Sequence, residues 1–187
     1  MVKSPIKPLT LEEFLKLPET KPASEYINGQ VIQKPMPQGK HSILQGELVI
    51  SINALVKPPK VALAFPELRC TFGGRSIVPD VAVFAWERIP LDANGDVENV
   101  FPAHPDWTIE ILSPDQRQTK VTGNILHCLK YGTSLGWLLD PDERSVLVYP
   151  QKQQPQLLQA EGDILPVPDL VKNLQLTVGQ SFGWLKL

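Results

Sequence analysis

The sequence predicts an α/β (α+β) fold in which helices pack against a mixed β-sheet. Apolar stretches with helical spacing alternate along the chain with short runs rich in β-branched and aromatic residues, and an Asn-Gly pair marks a tight turn. Strands that alternate with helical segments are typical of helices packed on a sheet. The length of 187 residues predicts one domain, 1–187, able to bury a core without disulfides or a structural metal.

Local signals set the elements of the first half of the chain. Thr10 and Glu13 have the spacing of a capping box, and Asn28-Gly29 between alternating apolar residues is typical of a hairpin turn. Apolar residues then recur at helical spacing until a Pro-Pro pair. In chain order, we predict a helix over 10–17, hairpin strands over 25–33, a helix over 40–56, and a pair of strands over 61–65 and 68–72 joined by Pro66-Glu67.

The second half of the chain contains one interrupted strand and one further helix. Pro79 cannot donate to a strand ladder, so the strand around it should be kinked, bulged or at a sheet edge. A glycine, Gly132 or Gly136, should close the helix. In order, we predict a strand over 77–85, a loop over 91–104, a strand over 107–112, a helix over 118–134, strands over 137–140 and 144–149, a loop over 151–156, and short strands within 156–179.

Composition limits the compartment and the partners of the protein. The formal net charge of −2 argues against a strongly basic nucleic-acid binder, although an acidic protein can still carry a basic groove. Cys70 and Cys128 lack the spacing of metal ligands and should be buried free thiols, as in a reducing cytosol. Residues 1–8 lack the apolar core of a signal peptide, and no apolar run reaches the roughly 20 residues of a membrane helix. We therefore expect a cytoplasmic protein that does not enter the membrane.

Two acidic residues interrupt runs that are otherwise apolar, Asp80 and Glu110. Ionised carboxylates are rarely buried unless they are paired or bind a metal. Each acid could instead lie on a solvent-facing side of its strand, or pair with Arg69 or Arg75. If the two predicted strands are neighbours, opposed side chains lie about 5 Å apart, and carboxylates at that distance repel each other without a cation between them. A divalent metal held by both carboxylates is the interpretation that explains both positions at once.

Pro79-Asp80, followed thirty residues later by Glu110 in the run 109–114, resembles the motifs of the PD-(D/E)XK nuclease superfamily. More closely, the chain resembles a bacterial family of restriction-endonuclease-like proteins long filed as a domain of unknown function. This resemblance implies a restriction-endonuclease-like mixed β-sheet core flanked by helices, with added β-hairpins. It covers almost the whole chain, through the opening helix 10–17, the acidic hairpin 25–30, the helix that begins at His41, and the strand 136–141.

The resemblance also implies an active site. Asp80 and Glu110 would be the ligands of Mg²⁺ or Mn²⁺, and Glu25 would be a third, catalytic acid near the metal. The implied activity is endonucleolytic hydrolysis of phosphodiester bonds in nucleic acid, with DNA the expected substrate and a homodimer the expected assembly.

One position departs from the superfamily pattern. Its Glu-x-Lys motif places a lysine where this chain has Leu112. In the related bacterial family that lysine often moves to the following helix, and the aligned residue here is Asn124, which cannot supply a cation. Lys120 lies one turn earlier on the same face and is the predicted substitute, a fourth catalytic residue. Lys130 is a weaker candidate, since it points to another side of the helix.

The sequence is also compatible with two other functions. Because the Glu-x-Lys motif is incomplete and the chain is acidic, the protein could be a weak or inactive relative that binds nucleic acid or a protein partner without cutting. A deep closed pocket would instead favour a hydrolase of another phosphate ester, such as a nucleotide.

His41 is expected to be exposed at the start of its helix, where it would contact phosphate or cap the helix.

Overall fold

A computed structural model of the protein describes residues 9–114 and 116–186. Residues 1–8, on which the expectation of no signal peptide rests, lie outside this part of the chain, as do residues 115 and 187. Within the described ranges, no helix is both long and apolar enough to span a bilayer.

Two β-sheets form the frame. The larger has six strands in the order β10-β9-β8-β7-β6-β3, antiparallel except for the parallel β7–β8 pair, and the smaller has the antiparallel order β2-β1-β5-β4. The strands are β1 (Ser24–Ile27), β2 (Gln30–Gln33), β3 (Ala62–Pro66), β4 (Cys70–Phe72), β5 (Arg75–Ile77), β6 (Val81–Ala85), β7 (Trp107–Ile111), β8 (Leu135–Asp140), β9 (Ser145–Pro150) and β10 (Gln156–Leu158).

Helices cover both faces of the six-stranded sheet. The helices are α1 (Leu11–Leu15), α2 (Gly39–Val56), α3 (Gln118–Tyr131) and α4 (Val178–Gly183). The apolar stripe of α2 packs with Ile109 and Trp137 in the largest core cluster, whereas Ile125 of α3 packs with Leu138. Because side chains alternate along a strand, Glu110 points away from Ile109 and toward the α3 side of the sheet.

Most of the predicted elements are confirmed. Thr10 and Glu13 form the expected capping box at the start of α1. Asn28 and Gly29 join β1 to β2 with φ of 52° and 83°, the left-handed pair of a tight hairpin turn. The cysteines are free and buried. The predicted fold class, a mixed sheet flanked by helices with an added hairpin, is also confirmed.

One strand pair and one continuous strand were predicted wrongly. The strands β3 and β4 do not form a pair, since β3 joins the large sheet and β4 the small one. The run 77–85 is not one kinked strand but the end of β5, a connection of Val78, Pro79 and Asp80, and then β6. Pro79 lacks the N–H that a continuous ladder would need, so the chain changes sheets there, and Asp80 is placed where the two sheets meet.

The ends of two other elements also differ from the prediction. Helix α3 ends at Tyr131 instead of position 134, because Gly132 adopts a φ of 120° that closes it. The tail contributes one strand, β10, and then helix α4, which was not predicted. Thr177 and Gln180 form a capping box at the start of α4, a signal that the prolines nearby obscured.

Helix α3 packs unusually close to β8, and Gly136 makes this approach possible. A Cβ atom at Gly136 would collide with Cγ2 of Ile125 on α3. The helix is thereby held against the sheet on the side where Glu110 points.

We expect Gly136→Ala to destabilise the protein by about 1–3 kcal/mol, because overpacking forces α3 away from the sheet. The matched control is Gly46→Ala on the exposed side of α2, where no atom lies within 4 Å of the added Cβ. It should stabilise the protein by about 0.5–1 kcal/mol. Urea denaturation of both variants measures these changes, and equal effects of the two substitutions would contradict the packing interpretation.

Candidate functional site

Asp80 and Glu110 come together around the ammonium group of Lys34. Each acidic residue is only 2% exposed. Nζ of Lys34 lies 2.6 Å from Oδ1 of Asp80 and 3.7 Å from Oε2 of Glu110. The two acids predicted to hold a divalent metal therefore both contact an ammonium group, which comes from the residue that follows the β1–β2 hairpin.

Asp80 is held rigidly by three elements. Its Oδ2 accepts hydrogen bonds from the backbone N–H of Ile111 at 2.7 Å and from Nε2 of His41 at 3.1 Å, and Lys34 donates to Oδ1. His41 is buried, so the expectation that it lies exposed at the start of its helix was wrong. The first turn of α2 faces the sheet junction, and this turns the His41 ring inward toward Asp80.

Glu110 is bound much less completely. Among the described residues, no donor reaches its buried Oε1, and its Oε2 lies 3.7 Å from Nζ of Lys34. A side-chain hydrogen bond also joins Glu110 to Asp80 and raises the pKa of Glu110. A buried polar atom without a partner costs free energy and is rare in native proteins. Glu110 thus has coordination capacity that the described side chains do not use.

Glu25 completes the acidic cluster from strand β1. Its Oε1 accepts from the backbone N–H of Val78 at 2.8 Å, and Nδ2 of Asn124 lies 3.0 Å from its Oε2. Glu25 is also buried. Asn124, aligned by the resemblance with a helix lysine, therefore binds this third acid by hydrogen bonds.

Lys34 was not among the predicted site residues. It follows β2 directly, and its Nζ also donates to the backbone carbonyl of Val78 at 2.7 Å. Both predicted lysines, Lys120 and Lys130, lie after Glu110, where the superfamily has its lysine. The available signal was a lysine at the end of the hairpin that carries Glu25.

The predicted substitute, Lys120, occupies a different place. It is exposed and lines a cavity that opens beside the carboxyl groups, with no ion pair to an acid among the described residues. Lys130 lies at the far end of α3, with its Nζ 5.7 Å from the ring centre of Tyr131. The structure thus brings Lys34 onto the carboxylates and leaves Lys120 at the rim.

The charges in this cluster are unevenly shared. Burial alone would lower the pKa of Lys34, but Asp80, Glu110 and Glu25 raise that pKa above its usual range, so the amine stays protonated. Burial would raise the pKa of Asp80, yet Lys34 and His41 hold it well below its ordinary value. Burial raises the pKa of Glu110 well above its ordinary value, and Asp80 and Glu25 add to this increase against the opposing effect of Lys34.

A cavity of about 360 Å³ opens from this cluster to solvent. The basic residues of its lining are Lys34, Arg117 and Lys120, and the last two are exposed. The acids of the lining, Glu25 and Glu110, lie buried at its base. The rim of the cavity is therefore basic in a chain whose net charge is −2.

The donor set at the base of the cavity fits Mg²⁺ or Mn²⁺ bound by few protein ligands. In the described part of the chain, no group of three or more His, Cys, Asp or Glu side chains is placed to hold one ion. Mg²⁺ needs only one or two carboxylates and fills its other positions with water and phosphate oxygens. The unpartnered Oε1 of Glu110 and the positive charge already held between Glu110 and Asp80 both fit such a cation.

Comparison with known proteins gives a consistent result. The family model Uma2, described as "Putative restriction endonuclease", matches residues 11–179. The crystal structure of a putative nuclease belonging to DUF820 from Anabaena variabilis is 60% identical to the chain and superposes with a TM-score of 0.94. That match covers 95% of this chain and 99% of the other. Among functionally curated proteins, none matches the chain.

We expect Glu110→Gln to stabilise the metal-free protein, and increasingly so as the pH rises. Because its pKa is raised in the folded state, Glu110 retains a proton that the unfolded chain releases above about pH 4.3. The folded state thus loses stability with rising pH, by at most about 1.4 kcal/mol per pH unit. The variant lacks this loss, so its Tm advantage over the unsubstituted protein in EDTA should be small near pH 4 and larger at pH 7.

The matched control is Glu98→Gln, a substitution of an exposed loop residue. Its Tm difference from the unsubstituted protein should not vary with pH in this way. A Tm difference for Glu110→Gln that stays constant from pH 4 to pH 7 would contradict the assigned state of Glu110.

Proposed function

The chain belongs to the Uma2 family of putative restriction endonucleases, and on this premise we propose that it is a metal-dependent endonuclease. It would hydrolyse phosphodiester bonds in nucleic acid, with DNA the expected substrate, and use Mg²⁺ or Mn²⁺. The observation that carries the proposal is the pair of buried carboxylates, Asp80 and Glu110, which share one cation at the base of a basic cavity.

Each residue of the cluster has a role in this proposal. Asp80 and Glu110 would hold the metal, whose chemistry is to polarise a phosphate oxygen and activate water. His41 and the N–H of Ile111 fix the Asp80 carboxylate in one orientation, so little reorganisation is needed when a ligand binds. Glu25 is the third acid, and its hydrogen bonds to Val78 and Asn124 keep it beside the pair.

The basic rim supports nucleic acid as the partner. Lys120 and Arg117 are exposed and line the cavity, so their positive charges would attract phosphate groups. In this role Lys120 contacts the phosphate backbone next to the reacting group. Cleavage of both strands of a duplex takes two such sites, so we keep a homodimer as the expected assembly and the cytoplasm as the expected compartment.

A second candidate is a nuclease-fold module that binds nucleic acid without cutting it. Lys34 already neutralises part of the acidic cluster, and this is the observation that favours it. A site stabilised in this way could persist without a metal. Such a protein would keep the basic rim and its affinity for phosphate groups.

The first test is cleavage of supercoiled plasmid and of single-stranded DNA in Mg²⁺ and in Mn²⁺. We expect nicking that EDTA abolishes and that Asp80→Asn and Glu110→Gln each reduce by about 100-fold or more, because both ligands contribute to transition-state stabilisation. Glu98→Gln, which replaces an exposed loop acid, is the matched control and should cleave normally. Cleavage that survives EDTA would contradict the proposal, whereas DNA binding without cleavage would favour the second candidate.

We also expect the double substitution Arg117→Ala/Lys120→Ala to weaken DNA binding in metal-free buffer. Loss of two phosphate contacts should reduce the slope of log affinity against log salt by about two. Fluorescence anisotropy with a labelled oligonucleotide measures this, and Lys152→Ala, in the exposed turn after β9, is the control. An unchanged salt slope in the double variant would exclude the cavity rim as the binding surface.

A further inference from the structure

The ammonium of Lys34 contacts one oxygen of each of the two carboxyl groups that would hold the metal. We propose that Lys34 is a catalytic residue that exchanges partners, leaving the two carboxylates when the metal binds and contacting the phosphate group of the nucleic acid instead. This inference rests on the proposed function and assigns to Lys34 the positive charge that position 112 does not supply.

The Lys34 ammonium and a divalent metal ion would compete for the same carboxylates. Nζ of Lys34 lies 2.6 Å from Asp80 and 3.7 Å from Glu110, and a divalent ion on the same carboxylate oxygens would lie within a similar distance of this ammonium. Like charges this close repel strongly in a buried site. The metal would therefore displace the ammonium, and the ammonium would weaken metal binding.

A displaced Lys34 side chain can move into the adjacent cavity. Lys34 lines the 360 Å³ cavity together with Arg117 and Lys120. Its backbone is fixed, since its N–H donates to the carbonyl of Ala23 at 2.9 Å. A lysine has a flexible stem of four carbons, so the ammonium can turn toward the cavity while the hairpin stays in place.

No other described residue is as well placed as Lys34 to supply a positive charge beside the metal. Leu112 does not line the cavity, and Lys120 is exposed at its rim. Asn124 has no charge and binds Glu25. Of the described lysines and arginines, only Lys34 contacts the two carboxylates, so it starts closest to any phosphate group that approaches the metal.

The hydrolysis itself needs no covalent bond to Lys34. A water oxygen bonds to phosphorus as the P–O bond to one nucleotide breaks, which leaves a phosphate monoester and a free hydroxyl group. The proton lost by the water balances the proton gained by the departing oxygen. Lys34 stabilises the negative charge on the phosphoryl oxygens during the hydrolysis.

The first experiment measures Mn²⁺ affinity by calorimetry without nucleic acid, and single-turnover cleavage at saturating Mn²⁺, in Lys34→Gln. We expect Mn²⁺ to bind about tenfold more tightly or better because the competing charge is gone, while the cleavage rate falls by about 100-fold or more. Weaker Mn²⁺ binding would overturn the inference and leave Lys34 a structural ion-pair partner. Cleavage close to that of the unsubstituted protein would also overturn it.

The matched control is Lys40→Gln. Lys40 lies on the first turn of α2 and forms an exposed ion pair with Asp142, from which this substitution removes the ammonium. Neither Mn²⁺ affinity nor cleavage should change in this variant. If the unsubstituted protein cuts no nucleic acid, the proposed function fails and the catalytic role fails with it. The Mn²⁺ affinities of Lys34→Gln and of the unsubstituted protein then still show whether Lys34 competes with the metal.

A second experiment uses the unsubstituted protein, so it does not depend on the folding of a variant. An amine-acylating reagent is applied with and without Mg²⁺, and modification of Lys34 and Lys40 is followed by mass spectrometry. We expect Mg²⁺ to raise the modification rate of Lys34 by about tenfold, because the buried ammonium moves into the open cavity, and to leave Lys40 unchanged. An equal or lower rate at Lys34 in Mg²⁺ would overturn the exchange of partners.

Discussion

The fold is built around one ammonium group that is buried against three acidic side chains. Buried charges are costly unless they are paired and hydrogen-bonded, and here Lys34 lies among Glu25, Asp80 and Glu110. Each charged group comes from a different part of the chain, and α2 and α3 supply the polar partners His41 and Asn124. The junction of the two sheets is where these parts meet, so fold and site cannot be separated.

The acids of this site could be predicted because their signal is local. Asp80 and Glu110 each interrupt an apolar run, and that contrast is visible within a few residues of sequence. Lys34 and His41 carry no such signal, because their importance comes from pairing with Asp80 across 46 and 39 positions. A lysine after a hairpin and a histidine at a helix start are ordinary surface residues by local pattern, and only the sheet junction makes them buried partners.

The same distinction between local and distant interactions explains which parts of the fold were predictable. Capping boxes, the Asn28-Gly29 turn and helical periodicity act over a few residues and gave correct elements. The pairing of β3 and β4 was wrong because neighbouring strands in sequence belong to different sheets here. Pro79 was recognised as a break in its strand, but local pattern does not reveal that the chain leaves one sheet for the other at that point.

We propose that Asp80 and Glu110 form a metal site that Lys34 occupies in the absence of metal. Anomalous diffraction from crystals soaked in Mn²⁺, recorded at the manganese absorption edge, tests this proposal. We expect one anomalous peak between the Asp80 and Glu110 carboxylates, with the Lys34 side chain turned into the cavity. Absence of a peak at that position, with Lys34 still between the carboxylates at saturating Mn²⁺, would contradict it.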